Sequence, residues 1–206
     1  MGLKDRELNT KPRGKVTKRR KPIILIATEG KNKTETIYFN NLNSFGKYSI
    51  VFCKGNYTDP INTVKVLDKE IKKIKEQRIE DKAYCVFDTD VDISKNDQIT
   101  KAKALASKTK IELIISNPCF EVWYLCHYMY STKAYNCNEE AISKLKKYIS
   151  NYNKKTNIFS ILKSNINNAI SNAEKLQKYH QGLGREIYSL ESNPSTEIYK
   201  IIKEIL

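Results

Sequence analysis

The chain predicts an α/β fold, a mostly parallel four-stranded sheet flanked by helices and followed by a helical C-terminal extension. Three observations predict it. Between residues 22 and 130, short apolar runs alternate with stretches of helical periodicity, the pattern of βα units whose parallel sheet is covered by helices. These runs break off abruptly, two of them in carboxylates. Beyond about residue 131 only helical stretches continue, separated by polar loops.

The first strand is 23–28, running into Glu29-Gly30. A helix follows with Tyr38, Phe39, Leu42 and Phe45 on one face, and Asn32 and Glu35 stand at the spacing of a capping box at its start. Residues 48–53 form the second strand. After a loop from Gly55 to Thr58, Asp59-Pro60 starts a helix: Asp caps it, and Pro lacks an N–H where none is needed. Ile61, Val64, Leu67, Ile71 and Ile74 carry that helix towards Arg78. The third strand, 83–88, ends in Asp88-Thr89-Asp90-Val91-Asp92. A short helix near 97–107 presents Ile99, Ala102 and Leu105. The fourth strand, 111–115, closes on Ser116-Asn117-Pro118, with Asn117 placed to cap an aromatic helix containing Phe120, Trp123, Tyr124 and Tyr128. Helices at about 138–150, 165–180 and 195–206 complete the chain. They are too short for a separate domain and are expected to pack on the sheet or cap its edge.

The 206 residues suffice for one domain with a real core. The net charge of +14 favours a polyanionic partner, nucleic acid ahead of anionic membrane, against the plainer reading of lysine as a solubility residue. Residues 1–21 hold nine basic against two acidic side chains, a surplus of seven that is half the total, and read as a basic tail. No stretch approaches the ~20 apolar residues of a membrane span, and the N-terminus lacks the apolar core of a secretion signal. Five cysteines without a C-x-x-C pair argue against a disulfide framework or a zinc site and fit a reducing cytoplasm.

In a parallel sheet, ligands sit at the carboxyl ends of the strands. Glu29, Asp88, Asp90 and Asp92 all fall there. The three aspartates share one parity and would point to one side of an extended segment. Clustered acids need a positive charge between them, and Mg²⁺ or Mn²⁺ suits carboxylate oxygens; such an ion polarises phosphate oxygens. Glu121, one turn into the helix after the fourth strand, is a further ligand or base, or an acid placed by the helix dipole. His127, six residues on, reads as a packed histidine. Lys31, Lys33, Lys54, Arg19 and Arg20 are candidates for contacting phosphate. A P-loop fits poorly, because Leu25 stands where the first glycine is required.

Thr28-Glu29-Gly30 with Thr34-Glu35, Gly55 to Asp59-Pro60, Val86-Phe87-Asp88-Thr89-Asp90, the run Ser116 to Trp123 with His127, and Asn193-Pro194-Ser195-Thr196 together resemble the RloB family. That family is one of the Toprim-like proteins, a group that includes topoisomerases, bacterial primases and nucleases of the overcoming-lysogenization-defect type. The resemblance spans roughly 22–206. It implies a metal site at Glu29, Asp88 and Asp90, and a nuclease acting on RNA, including transfer RNA, or on DNA, as an anti-phage defence effector beside an ATPase partner. The expectation is therefore a cytoplasmic metal-dependent endonuclease. The alternative is a non-catalytic module that binds nucleic acid or the ATPase. A homo-oligomer stays open. Nucleotidyl transfer would need a second domain that the chain does not show.

Overall fold

A computed structural model describes residues 20–29, 33–53, 55, 59–74 and 77–206. In the first half of the chain, strands and helices alternate as β1 (Ile23–Thr28), α1 (Lys33–Leu42), β2 (Ser49–Phe52), α2 (Pro60–Lys72), β3 (Lys82–Asp88), α3 (Ile93–Ala106) and β4 (Ile111–Asn117). Then come α4 (Glu121–Cys126), α5 (Asn138–Lys146), α6 (Phe159–Leu162), α7 (Ile166–Gly182), β5 (Ser195–Thr196) and α8 (Ile198–Ile205). The strands form one sheet in the order β2-β1-β3-β4-β5. The first four are parallel, and β5 lies antiparallel on β4 through Ser116↔Thr196 and Asn117↔Ser195.

The fifth strand corrects the expected count of four. Two residues are too few for an alternating pattern, so Ser195 and Thr196 read as the approach to the last helix. Two helix boundaries also differ. Helix α2 stops at Lys72, and the Gln77 side-chain amide donates to the Ile71 carbonyl at 2.7 Å, beside the Ile74 backbone N–H at 3.2 Å. Helix α3 begins at Ile93 because the Asp92 carboxylate accepts from the Lys95 backbone N–H at 2.9 Å. The Asp59 cap forms as expected, accepting from Ile61 N at 2.9 Å. Asn32, the other half of the expected capping box, lies outside the described residues.

Right-handed crossovers decide which helix covers which face. Helix α1 joins β1 to β2 on one side, while α2 and α3 carry the chain back past β1 to β3 and β4 on the other. The cores follow. Leu25, Ala27, Cys85, Phe87, Leu113 and Ile115 pack under Val64 and Leu67 of α2 and Ile99 and Ala102 of α3. On the opposite face Ile24, Ile26, Tyr84, Val86 and Ile114 meet Tyr38 and Phe39 of α1. One helix cannot cover that face. The C-terminal half supplies the rest: Trp123, Leu145, Leu176 and the Ile198, Ile201, Ile202 and Ile205 stripe of α8 join the same core.

At the amino end of the sheet, Arg20 is committed to Asp81. Its two terminal nitrogens donate to the two carboxylate oxygens at 3.0 and 2.6 Å, and Asp81 also accepts from the backbone N–H of Ile23 and of Arg78, each at 2.8 Å. Arg20 therefore ties the start of β1 to the turn before β3, at the end of the sheet away from the acids. The guanidinium expected to contact phosphate is thus paired with a carboxylate. The Arg20 guanidinium, with the two backbone donors, holds the Asp81 carboxyl at about 2, below the usual 3.8. Its folded value is depressed, so the stabilisation is complete above about pH 4 and is lost as pH falls towards 2. Asp81→Ala is expected to lower stability by about 2 kcal/mol in urea unfolding at neutral pH, and Arg20→Ala by a similar amount. The double variant should cost little more than either single one. Additive losses would show that the two side chains act independently.

Candidate active site

The chain leaves β1 towards β2 on one side and reaches β3 on the other, so the loops at their carboxyl ends diverge and leave a crevice. Glu29 directly follows β1, and Asp88 is the last residue of β3. Strand alternation sends them to different faces. Asp88 has the parity of Tyr84 and Val86, on the side of α1 and α4. Glu29 has the parity of Leu25 and Ala27, on the side of α3.

On the first side Asp88 meets acids. Burial, then Glu35 of α1 and Glu121 of α4, then Asp90, push its carboxyl well above the usual range, with Lys95 opposing. Asp88, Glu35 and Glu121 are 8%, 3% and 1% exposed, so little water screens them. Asp88 Oδ1 is buried with no hydrogen-bond partner among the described residues. Glu121 Oε1 accepts from the Tyr152 hydroxyl at 2.7 Å. Burial and Glu121 in turn push the Tyr152 hydroxyl well up. Lys154 lies in the same segment, and its carbonyl accepts from Thr34 Oγ1 at 3.2 Å. Burial would lower its ammonium pKa, but Glu121, Cys119, Asp88 and Glu35 outweigh this and raise it.

On the second side one ammonium group serves two acids. Lys95 Nζ lies 2.5 Å from Glu29 Oε2 and also contacts Asp90 Oδ2. Burial alone would lower its pKa, but those carboxylates raise it. Burial raises the Glu29 carboxyl, and Lys95 opposes the rise. The other Asp90 oxygen accepts from Asn138 Nδ2, at the start of α5, at 2.6 Å.

The turn after β3 departs from the extended reading. Asp90 (φ +53°) and Val91 (φ +56°) are both left-handed. For a β-branched residue such as Val91 this costs roughly 1–3 kcal/mol, a strain that the surroundings must hold. The holding groups come from β4 and the residue after it. Thr89 N donates to Ser116 O at 3.0 Å and Asp90 N to Pro118 O at 2.9 Å. Thr89 Oγ1 donates to Asn117 Oδ1 at 2.9 Å, and Asn117 Nδ2 donates to the Ser189 and Leu190 carbonyls. Asn117 is thus a strap and not the helix cap its position before Pro118 suggested; α4 starts only at Glu121. Because the turn breaks the alternation, Asp92 does not join Asp88 and Asp90. Its carboxylate, expected among the metal ligands, caps α3.

Glu29, Asp88, Asp90 and Glu121 thus lie around one crevice in two groups linked through Asp90. Lys31, Lys54 and Arg19 lie outside the described residues, as does the side chain of Lys33, which opens α1. Sequence reasoning took Glu35 for a capping partner and did not single out Lys95, Tyr152 or Lys154. The last two sit in a polar loop with no periodic signal.

The donors are all carboxylate oxygens, one of them orphaned and buried, and in chemistry they fit a hard divalent cation. In their present arrangement they do not enclose one: among the described residues, no three His, Cys, Asp or Glu side chains are gathered to hold a metal ion. Lys95 occupies the space between Glu29 and Asp90.

Fold and site define an α/β protein with an acid-lined crevice at the switch point of a mostly parallel sheet. A family model described as RloB-like protein matches residues 24–205, most of the chain, and the chain belongs to that family. Comparison with curated proteins and with solved structures gave no match.

His127 is packed, as expected. It is 2% exposed, its Nδ1 donates to the Trp123 carbonyl at 2.9 Å, and its ring meets the Trp123 ring edge-on. Burial lowers its pKa to about 4 from 6.5. Between those values the unfolded chain binds the extra proton, so stability falls as pH drops from 6.5 towards 4, by up to about 3 kcal/mol from this residue. His127→Gln is expected to remove its share of that slope when urea midpoints are compared at pH 7 and pH 4.5. An unchanged slope would place the acid sensitivity elsewhere.

Proposed function

We propose that the chain is a divalent-metal-dependent, Toprim-type endonuclease that hydrolyses phosphodiester bonds in RNA, including transfer RNA, or in DNA. The observation that carries this reading is Asp88. A buried carboxylate with an unpartnered oxygen, crowded by Glu35, Glu121 and Asp90, is costly to the fold and makes sense as a seat for a cation. Asp88, Asp90 and Glu29 would hold Mg²⁺ or Mn²⁺, with Glu35 and Glu121 beside them. Such an ion supplies charge stabilisation at phosphorus and a more acidic water. The side chains do the rest. Lys95 holds Glu29 and Asp90 in place. Tyr152 fixes Glu121 through its hydroxyl. Lys154 presents a stable positive charge beside the acids, suited to a phosphate oxygen. Among the described residues, no helix is long and apolar enough to cross a membrane. A cytoplasmic role in phage defence, controlled by an ATPase partner, is the setting this reading carries, and it rests on the family resemblance alone.

One observation favours a second reading. Lys95 already neutralises Glu29 and Asp90, so a non-catalytic module that binds nucleic acid could keep this crevice without metal.

The test incubates labelled transfer RNA, single-stranded RNA and duplex DNA with Mg²⁺ or Mn²⁺. The wild type is expected to cut at least one of them, and Asp88→Asn and Glu29→Gln to lose at least about 100-fold in rate. The folded Asp88 pKa is raised, so at neutral pH its charge opposes folding. Asp88→Asn should therefore raise Tm while removing activity. Equal cleavage by all three proteins rejects the site. Salt-sensitive binding without divalent-dependent cleavage supports the binding module.

A further inference from the structure

A cleft of about 410 Å³ lies between the segment 131–136 and helix α5, lined by Lys133, Lys144 and Lys147 with Ser131 and Ser143. Most other lysines with a defined partner are spent on carboxylates: Lys72 on Asp68, Lys73 on Glu70, Lys200 on Glu112 and Glu197, Lys203 on Glu174. The three cleft lysines form no ion pair among the described residues. The cleft's own acid, Glu140, accepts from Asn136, whose backbone N–H and side-chain amide each donate to it at 2.9 Å, and Lys133 attracts it without pairing. Lysine in the last turn of α5 also offsets the helix dipole, but Lys133 lies on the opposite wall and has no such role.

The two ends of α5 give the cleft a direction. At its start Asn138 donates to Asp90 of the acidic crevice. At its end, directly after Lys147, Tyr148 stacks on Tyr128 with ring centroids 4.8 Å apart and planes inclined by 14°. Tyr148 is 44% exposed, and its hydroxyl is fixed to Met129 Sδ at 3.4 Å. A pre-positioned ring, stacked on Tyr128 and still exposed, is a platform for a base. The nine residues between these ends span about 14 Å.

We propose that this cleft binds a single-stranded segment of nucleic acid, with phosphates on Lys133, Lys144 and Lys147 and an unstacked base on Tyr148, so that the strand leads to Asp90. Bases inside a duplex are already stacked and cannot reach such a ring, which selects for unpaired strand. The inference rests on the proposed function only for its destination, and binding tests it without cleavage.

The experiment measures anisotropy of a short fluorescein-labelled single-stranded RNA, and of a duplex DNA of equal length, in EDTA. The variants are Lys133→Ala/Lys144→Ala/Lys147→Ala, Tyr148→Ala and Tyr148→Phe. A control triple, Lys65→Ala/Lys69→Ala/Lys101→Ala, removes exposed charge from α2 and α3 across the sheet. The cleft triple is expected to weaken single-strand binding at least tenfold and to reduce the slope of log K against log salt by about 2. Tyr148→Ala should weaken it at least about fivefold, with Tyr148→Phe restoring it and duplex binding unmoved. The control should bind as the wild type does. Equal losses in both triples, no loss in the cleft triple, a silent Tyr148→Ala, or tighter binding of an acidic polyglutamate peptide than of RNA would each overturn the proposal. A wild type that binds in this pattern yet cuts nothing with Mg²⁺ or Mn²⁺ leaves the groove standing and removes the nuclease.

Discussion

Repulsion among carboxylates is the constraint around which the carboxyl edge of the sheet is organised. Glu29, Glu35, Asp88, Asp90 and Glu121 approach one another, and burial limits screening around Glu35, Asp88 and Glu121. Two unit charges about 5 Å apart repel by ~3 kcal/mol at a protein surface. Several such pairs would rival the whole stability of a domain. The protein answers in two ways. Lys95 takes two acids on one side of the sheet, and Tyr152 and Lys154 temper the group on the other. What is left over falls on Asp88, whose carboxyl is pushed well above its usual range.

The division into two groups follows from backbone geometry. Alternation along β1 and β3 sends Glu29 and Asp88 to opposite faces, and right-handed crossovers had already fixed which helices wait there. Helix α3 brings Lys95 to Glu29, while α1 and α4 bring Glu35 and Glu121 to Asp88. The left-handed pair Asp90-Val91 joins the groups by turning the chain back between the faces.

Apart from the edge strand β2, whose Ile50 is buried and Val51 exposed, the parallel strands were legible because both faces are buried, so each reads as a short apolar run with no alternation to decode. Glu29, Asp88 and Asp90 were legible for the same reason: an acid at the end of such a run stands out. The rest depended on partners distant in sequence. Asp92 looked equivalent to Asp88 and Asp90 only while the segment was taken as extended. Glu35 was hidden behind a plausible capping role. Lys95 and Lys154 lie among many lysines of similar local context, and only the packing of α3 and of the 150s segment singles them out. Asn117 resembled a cap because Pro follows it, yet its side chain is spent on Thr89 and on two carbonyls of the C-terminal half.

That last arrangement couples the integrity of the polypeptide to its acidic corner. Asn117 grips the strained bend with one atom and the backbone near Ser189 with another, so a molecule clipped or left unfinished within its final third would lose the brace along with the cover over half the sheet.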